Sequence, residues 1–131
     1  MTPRPMTEPA FLVLTALAGA ARHGYGIVGE VAELSQGRIQ LKVGTLYGVL
    51  DRLVAEGQVE LDREEIWQGR LRRYYRLTNE GGLALAEEAE RQAANARAAT
   101  ERLRAWRQKP RATPAPGRAR TRPAVASGGP A

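Results

Sequence analysis

A mainly α fold with a small β-hairpin, a winged helix-turn-helix followed by a long C-terminal helix, is what three features of the 131-residue chain predict. A short apolar helix carries Gly44-Thr45-Leu46-Tyr47 and stops at Gly57. An arginine-rich hairpin follows it and ends in Arg73-Tyr74-Tyr75-Arg76-Leu77-Thr78. Beyond that, alanines recur every three or four residues as far as Leu103. A helix followed by a basic hairpin can put one element into a major groove and the other beside the neighbouring phosphates. Double-stranded DNA is therefore the first partner to consider.

The first helix begins after Thr7, whose hydroxyl can cap it, with Glu8 and Pro9 suited to its first turn. Phe11, Leu12, Leu14, Leu17 and Ala18 fall on one broad apolar face, and Gly19 and Gly24 bracket the end. A second helix is predicted from about Tyr25 to Leu34, where Ile27, Val31 and Leu34 recur at helical spacing, with Ser35-Gln36-Gly37 as its turn. Ile39 and Leu41 alternate in the link that follows, which can form a small strand or an extended connection. The third helix, near Val43 to Glu56, has the clearest pattern: Leu46, Val49, Leu50, Leu53 and Val54 share one side. Gly44, Gly48, Asp51, Arg52 and Ala55 occupy the other, flanked by Thr45 and Tyr47. A glycine inside a helix costs up to about 1 kcal/mol relative to alanine. The two glycines are either tolerated surface residues or, as their cost favours, a way of keeping the face small enough to approach a groove floor.

Val59, Leu61 and Arg63 alternate with Glu60, Asp62 and Glu64, predicting a half-buried strand. Tyr75 and Leu77 supply the inward face of its return partner, and Gln68-Gly69 lies between. Cross-strand pairing accounts for part of the contrast between the acidic first limb and the basic second limb. Arg70, Arg72 and Arg73 near the tip outnumber the acids within reach, which points to phosphate or minor-groove contact. Thr78 can cap a final helix from Asn79 to Gln108, in which Ala86, Ala89, Ala93, Ala96, Thr100 and Leu103 form a coiled-coil seam. Small seam residues bury little area each, so this helix calls for a partner face, unless it is simply an alanine-rich solvated helix. From Pro110 onward Pro, Gly, Ala and Arg leave no periodic apolar positions, and disorder is expected. The domain reading is thus 1–78 for the winged helix-turn-helix, 79–109 for a dimerisation helix and 110–131 for a basic tail.

Composition narrows the function classes. The net charge is +6 and the pI about 10.5. Arg111, Arg118, Arg120 and Arg122 lie in the tail without an acid among them, so only about +2 remains on residues 1–109. Any affinity for a polyanion must then come from where the arginines sit. Eighteen arginines against two lysines, with abundant Ala and Gly, suggest a GC-rich genome and weaken arguments from arginine number alone. The absence of cysteine and the single histidine exclude disulfides, thiolate metal sites and cysteine catalysis. Neither a paired acid and base nor a phosphate-cradling glycine loop appears; no enzyme, metal or cofactor is expected. The longest apolar run, Ala10 to Ala21, is too short for a bilayer and lacks a secretory pattern, so a cytoplasmic protein without a membrane partner is the default.

His23-Gly24-Tyr25-Gly26-Ile27, then Gly44-Thr45-Leu46-Tyr47 with Leu50, Leu53 and Gly57, then Arg73-Tyr74-Tyr75-Arg76-Leu77-Thr78 with Gly81 resemble the PadR family of bacterial transcriptional regulators. The resemblance covers Glu8 to Arg107. Gly26 stands where the family often has Glu, and Leu71 where its wing often has proline. The resemblance implies homodimeric repressors whose third helices and wings straddle inverted repeats, often with ATGT and ACAT half-sites in the regulated gene's own promoter. A single short C-terminal helix is similar to the smaller subfamily, in which that helix builds the dimer and some members bind flat aromatic compounds between subunits.

The candidate DNA-binding residues are Lys42, Gly44, Thr45, Tyr47, Gly48, Arg52, Arg70, Arg72 and Arg73. Lys42 and Thr45 sit at a helix start, where backbone amides favour a phosphate. Tyr47 can pack its ring in the core, or do so while its hydroxyl reaches a phosphate. Arg52 can reach a guanine or a phosphate, or pair with Glu56 one turn on. His23 has no ligand or nucleophile partner in view and reads as structural or phosphate-facing. Trp67 and Trp106 suit packing or an interface; Trp106, beside the seam, is also the candidate contact for a small aromatic effector. A winged-helix module used only for protein contacts is the competing reading. It is distinguished by whether Glu60, Glu64 and Glu65 neutralise the wing arginines.

Overall fold

The computed structural model describes residues 5–110 and a pair of two-residue strands near the C-terminus, Ala126–Ser127 and Gly129–Pro130. The disorder expected of the tail concerns residues that otherwise lie outside those described. In chain order the elements are α1 (Glu8–Gly19), β1 (Arg22–His23), α2 (Gly24–Leu34), α3 (Val43–Ala55), β2 (Val59–Trp67), β3 (Arg70–Leu77) and α4 (Asn79–Gln108). The first three strands form an antiparallel sheet in the order β1-β3-β2. Two compact units divide the chain, Met1–Ala94 and Asn95–Ala131, with the boundary inside α4. Among the described residues no helix is long and apolar enough to cross a membrane.

Local chemistry sets the helix starts. Thr7 Oγ1 accepts from the Ala10 amide at 3.2 Å, as its position before Glu8 and Pro9 predicts. His23 Nδ1 accepts from the Gly26 amide at 3.3 Å, so α2 begins at Gly24, one residue before the expected start. Thr78 Oγ1 accepts from the Gly81 amide at 3.0 Å and donates to the Gly57 carbonyl at 2.6 Å, tying the start of α4 to the end of the third-helix segment. Gly57 has φ +76°, the left-handed conformation that ends a helix.

The core of the first unit joins Leu12, Val13, Leu14 and Leu17 of α1, Ile27 and Val31 of α2, and Leu46, Leu50 and Leu53 of α3 with Val59. Tyr75, Leu77 and Leu85 pack on it half-buried. Several expectations need correction. Ala18 is exposed, and Val13 and Ala16 are buried, because the helix sits between neighbours and not against one of them. Leu34 and Val54 are also exposed, each at the edge of its helix's buried stripe. Of the two forms open to residues 38–41, the strand does not form; they make an irregular connection with Ile39 and Leu41 half-buried against the core. The strand absent from the expectation is β1, where Arg22 donates to the Ala16 carbonyl at 2.9 Å and pairs with Tyr75 in the sheet.

Beyond Val59, β2 is not the half-buried strand that alternation predicts. Its pairing with β3 shifts between Leu61 and Arg63, and Leu61 is exposed. A bulge changes which side chains share a face, so strict alternation across it fails. The turn is as its residues suggest: Gln68 (φ 49°) and Gly69 (φ 75°) both take left-handed conformations, as a tight two-residue hairpin requires.

Candidate nucleic-acid interface

On α3 the buried stripe is Leu46, Leu50 and Leu53, which leaves Gly44, Thr45, Gly48, Asp51 and Arg52 in solvent. A methyl group added at Gly44 or Gly48 would meet nothing within 4 Å, so no packing inside the chain demands either glycine. Lys42 is the N-cap of α3 and supplies no side-chain cap, in contrast to Thr7 and His23. The first amides of α3 therefore lack a side-chain acceptor, which suits an anion at that end. Arg52 makes no ion pair with Glu56; it lines a small crevice with Met6, Thr7 and Glu56. We expect Gly44→Ala and Gly48→Ala each to raise thermal stability by up to about 1 kcal/mol through helix propensity. Both should weaken duplex binding; unchanged binding would show that the small face serves no close approach.

Tyr47 occupies the flank of α3 nearest the sheet, and its hydroxyl limits the space beside Gly24. A Cβ on Gly24 would lie 2.9 Å from that oxygen. The ring is only partly covered and the two motifs that carry Gly24 and Tyr47 interlock, so packing and a solvent-facing edge coexist.

The wing divides its arginines into two groups. Arg76 binds Glu60 at 2.7 Å and Asp62 at 3.2 Å, and Arg73 binds Glu64 at 3.0 Å. Arg63 takes both Asp62 at 2.7 Å and Glu65 at 2.6 Å, and holds the carboxyl of Glu65 below the usual carboxylate range. Of the three tip arginines that outnumber the acids within reach, Arg73 is the one that is paired, because register sets it directly opposite Glu64. Arg70 and Arg72 have no carboxylate partner among the described residues. The guanidinium of Arg72 instead lies 3.7 Å from the Trp67 ring centre, and that of Arg63 lies 4.0 Å from the Tyr74 ring centre. The exposed pairs are weak and can exchange for phosphates.

His23, Tyr25, Tyr47, Trp67 and Arg70 to Arg73 line one crevice of about 230 Å³. Helix and wing therefore present donors to a common space. Burial, and secondarily the charge of Arg72, hold His23 below the usual imidazole range. A neutral ring keeps the Nδ1 lone pair that caps α2. Tyr74 meets His23 edge-on at 5.2 Å between ring centres.

A family profile described as the transcriptional regulator PadR-like family matches residues 13–87, which span both glycine motifs and the wing. The chain belongs to the PadR family. Among curated proteins, an uncharacterized protein of Lysinibacillus sphaericus is 32% identical over 76 residues, 58% of this chain and 70% of that protein. Among solved structures, a PadR family transcription regulator from hypervirulent Clostridium difficile R20291 has a TM-score of 0.60 at 25% identity, covering 74% of this chain and 99% of that one. Bacillus subtilis PadR, solved in complex with operator DNA, has a TM-score of 0.56 at 20% identity, covering 85% of this chain and 52% of that one; the likeness is one of fold.

For this PadR-family chain, the seam residues Ala86, Ala89, Ala93, Ala96, Thr100 and Leu103 are all exposed on α4, as is about half of Trp106. Sequence reasoning missed Tyr25 and the Trp67–Arg72 stack as parts of the crevice. Tyr25 follows the capping His23, so its position in a motif was the available signal. The stack needed the hairpin register.

Proposed function

We propose that the chain is a homodimeric, sequence-specific DNA-binding regulator, most simply a repressor acting at an inverted repeat. The observation that carries this reading is that Tyr47 of α3 and Arg70 to Arg73 of the wing line one crevice. A groove-bound helix and a backbone-bound wing need that adjacency. Lys42, Gly44, Thr45, Gly48 and Arg52 complete the helix side of the contact. Thr45 and Arg52 are the side chains suited to discriminate bases, while Arg70, Arg72 and Arg73 fix position on phosphates. The neutralised pairs of Arg73 and Arg76 favour protein contacts when considered alone; Arg70 and Arg72, which form no ion pair among the described residues, favour a polyanion. Release by a small planar aromatic effector at Trp106 belongs to the same reading.

The test is fluorescence anisotropy with a duplex from the chain's own promoter against a scrambled duplex of equal length. The promoter duplex should bind more tightly by at least tenfold; equal affinities would contradict sequence-specific recognition. Dimerisation is read separately. Ala93→Glu puts a charge into the proposed seam, where it would be desolvated without a partner. We expect monomers by light scattering and loss of most of the preference for the promoter duplex, and a fully dimeric variant would refute the seam.

A further inference from the structure

Trp67 and Arg72 form an unusual neighbourhood for a wing tip. In the hairpin register Arg72 stands directly opposite Glu65, the position from which an ion pair is expected. That pair does not form. The Glu65 carboxylate is taken by Arg63 at 2.6 Å, and Arg63 is itself stacked on Tyr74. The Arg72 guanidinium, near enough to help hold the Glu65 carboxyl below its usual range but not ion-paired with it, stacks instead on the Trp67 ring 3.7 Å away. Trp67 ends β2 and pairs with Arg70 across the turn, so the indole lies beside both wing cations that lack a carboxylate. The ring is about half exposed (47%), hence its burial alone gives the fold little reason to hold a tryptophan there.

A guanidinium stacked on a ring keeps its in-plane N–H donors pointing outward, whereas a carboxylate partner would occupy them. It also loses less side-chain freedom on binding, because the stack has already restricted it. Arg72 lines the same crevice as Tyr25 and Tyr47. Resting on the DNA-binding reading above, we propose that Trp67 is a positioning residue: it holds Arg72 flat and uncommitted so that the guanidinium meets a backbone phosphate at the junction of wing and α3. The Arg63–Glu65 pair contributes by withdrawing the one acid that would capture Arg72.

The experiment is a double-mutant cycle on the full chain, with anisotropy measured on the promoter duplex over a series of salt concentrations. Trp67→Ala should weaken binding about two- to fivefold for each wing engaged, the range expected of an exposed cation–π contact. It should also flatten the salt dependence in the same direction as Arg72→Ala, because fewer phosphates are neutralised. Trp67→Phe, which keeps a π face, should retain most of the affinity. In an Arg72→Ala background, Trp67→Ala should change little. Circular dichroism and melting temperatures identify any variant whose wing has unfolded. A simple packing role would lower the melting temperature and leave the salt slope alone. Effects of the two substitutions that add, or a Trp67→Ala protein that binds as the wild type does, would overturn the proposal. If the wild type itself bound no duplex, the DNA-binding reading would fall and the role of Trp67 with it.

Discussion

Gly81→Ala should destabilise the first unit by about 2–4 kcal/mol, although alanine is the better helix former by about 1 kcal/mol. A Cβ at position 81 would lie 2.0 Å from the Gln58 carbonyl oxygen, 2.9 Å from its carbon and 2.9 Å from Leu77 Cδ1. The obstacle is backbone, and it is held: the Thr78 amide donates to the same Gln58 oxygen at 3.1 Å, and Thr78 Oγ1 donates to the Gly57 carbonyl at 2.6 Å. To accept the methyl group, the start of α4 must separate from the junction between α3 and β2, breaking these bonds together. Gly82→Ala is the matched control, since its Cβ would meet only Leu77 at 3.8 Å, an ordinary contact. Thermal melting should show Gly81→Ala lower by about 10 °C or more, with Gly82→Ala at or slightly above the wild type. Equal melting of both variants would mean that the junction is looser than its hydrogen bonds indicate.

The sequence was most legible where local chemistry decides structure. The apolar spacing of Leu46, Leu50 and Leu53 marks α3, the hydroxyls of Thr7 and Thr78 mark two helix starts, and Gln68-Gly69 marks the turn. Each of these depends on residues a few positions apart. What stayed hidden depends on pairings between distant segments. β1 is two residues long, and its partners Tyr74 and Tyr75 lie some fifty positions away, so no periodicity can announce it. The exposure of Leu61 follows from a register shift within β2. For the site, the helix face and the basic wing were readable, but the division of the wing arginines was not. That division depends on Glu65 being claimed by Arg63 and not by Arg72, a competition visible only when both strands are paired. His23 appeared as a lone histidine without a partner; its partner is the backbone amide of Gly26, which carries no side-chain signature.

Replacing Arg72 and Arg73 together by Ala should weaken binding to promoter and scrambled duplexes by similar factors, because phosphate contacts carry little sequence information. Each phosphate neutralised contributes a slope of about −0.9 to the logarithm of affinity against the logarithm of salt. In the proposed dimer, two arginines on each of two protomers would account for up to about 3.6 of that slope. The loss should be greatest at low salt, where counterion release is most favourable. Arg73 begins in a pair with Glu64, so part of its contribution is offset by breaking that contact, and the observed change should fall below this ceiling. The direct measurement is the salt dependence of promoter-duplex affinity for the wild type and for the Arg72→Ala/Arg73→Ala protein, with folding checked by circular dichroism. A steep wild-type slope, clearly flattened in the variant, is the predicted result; a wild type without duplex affinity, or two proteins with the same slope, would contradict the docking of helix and wing on DNA.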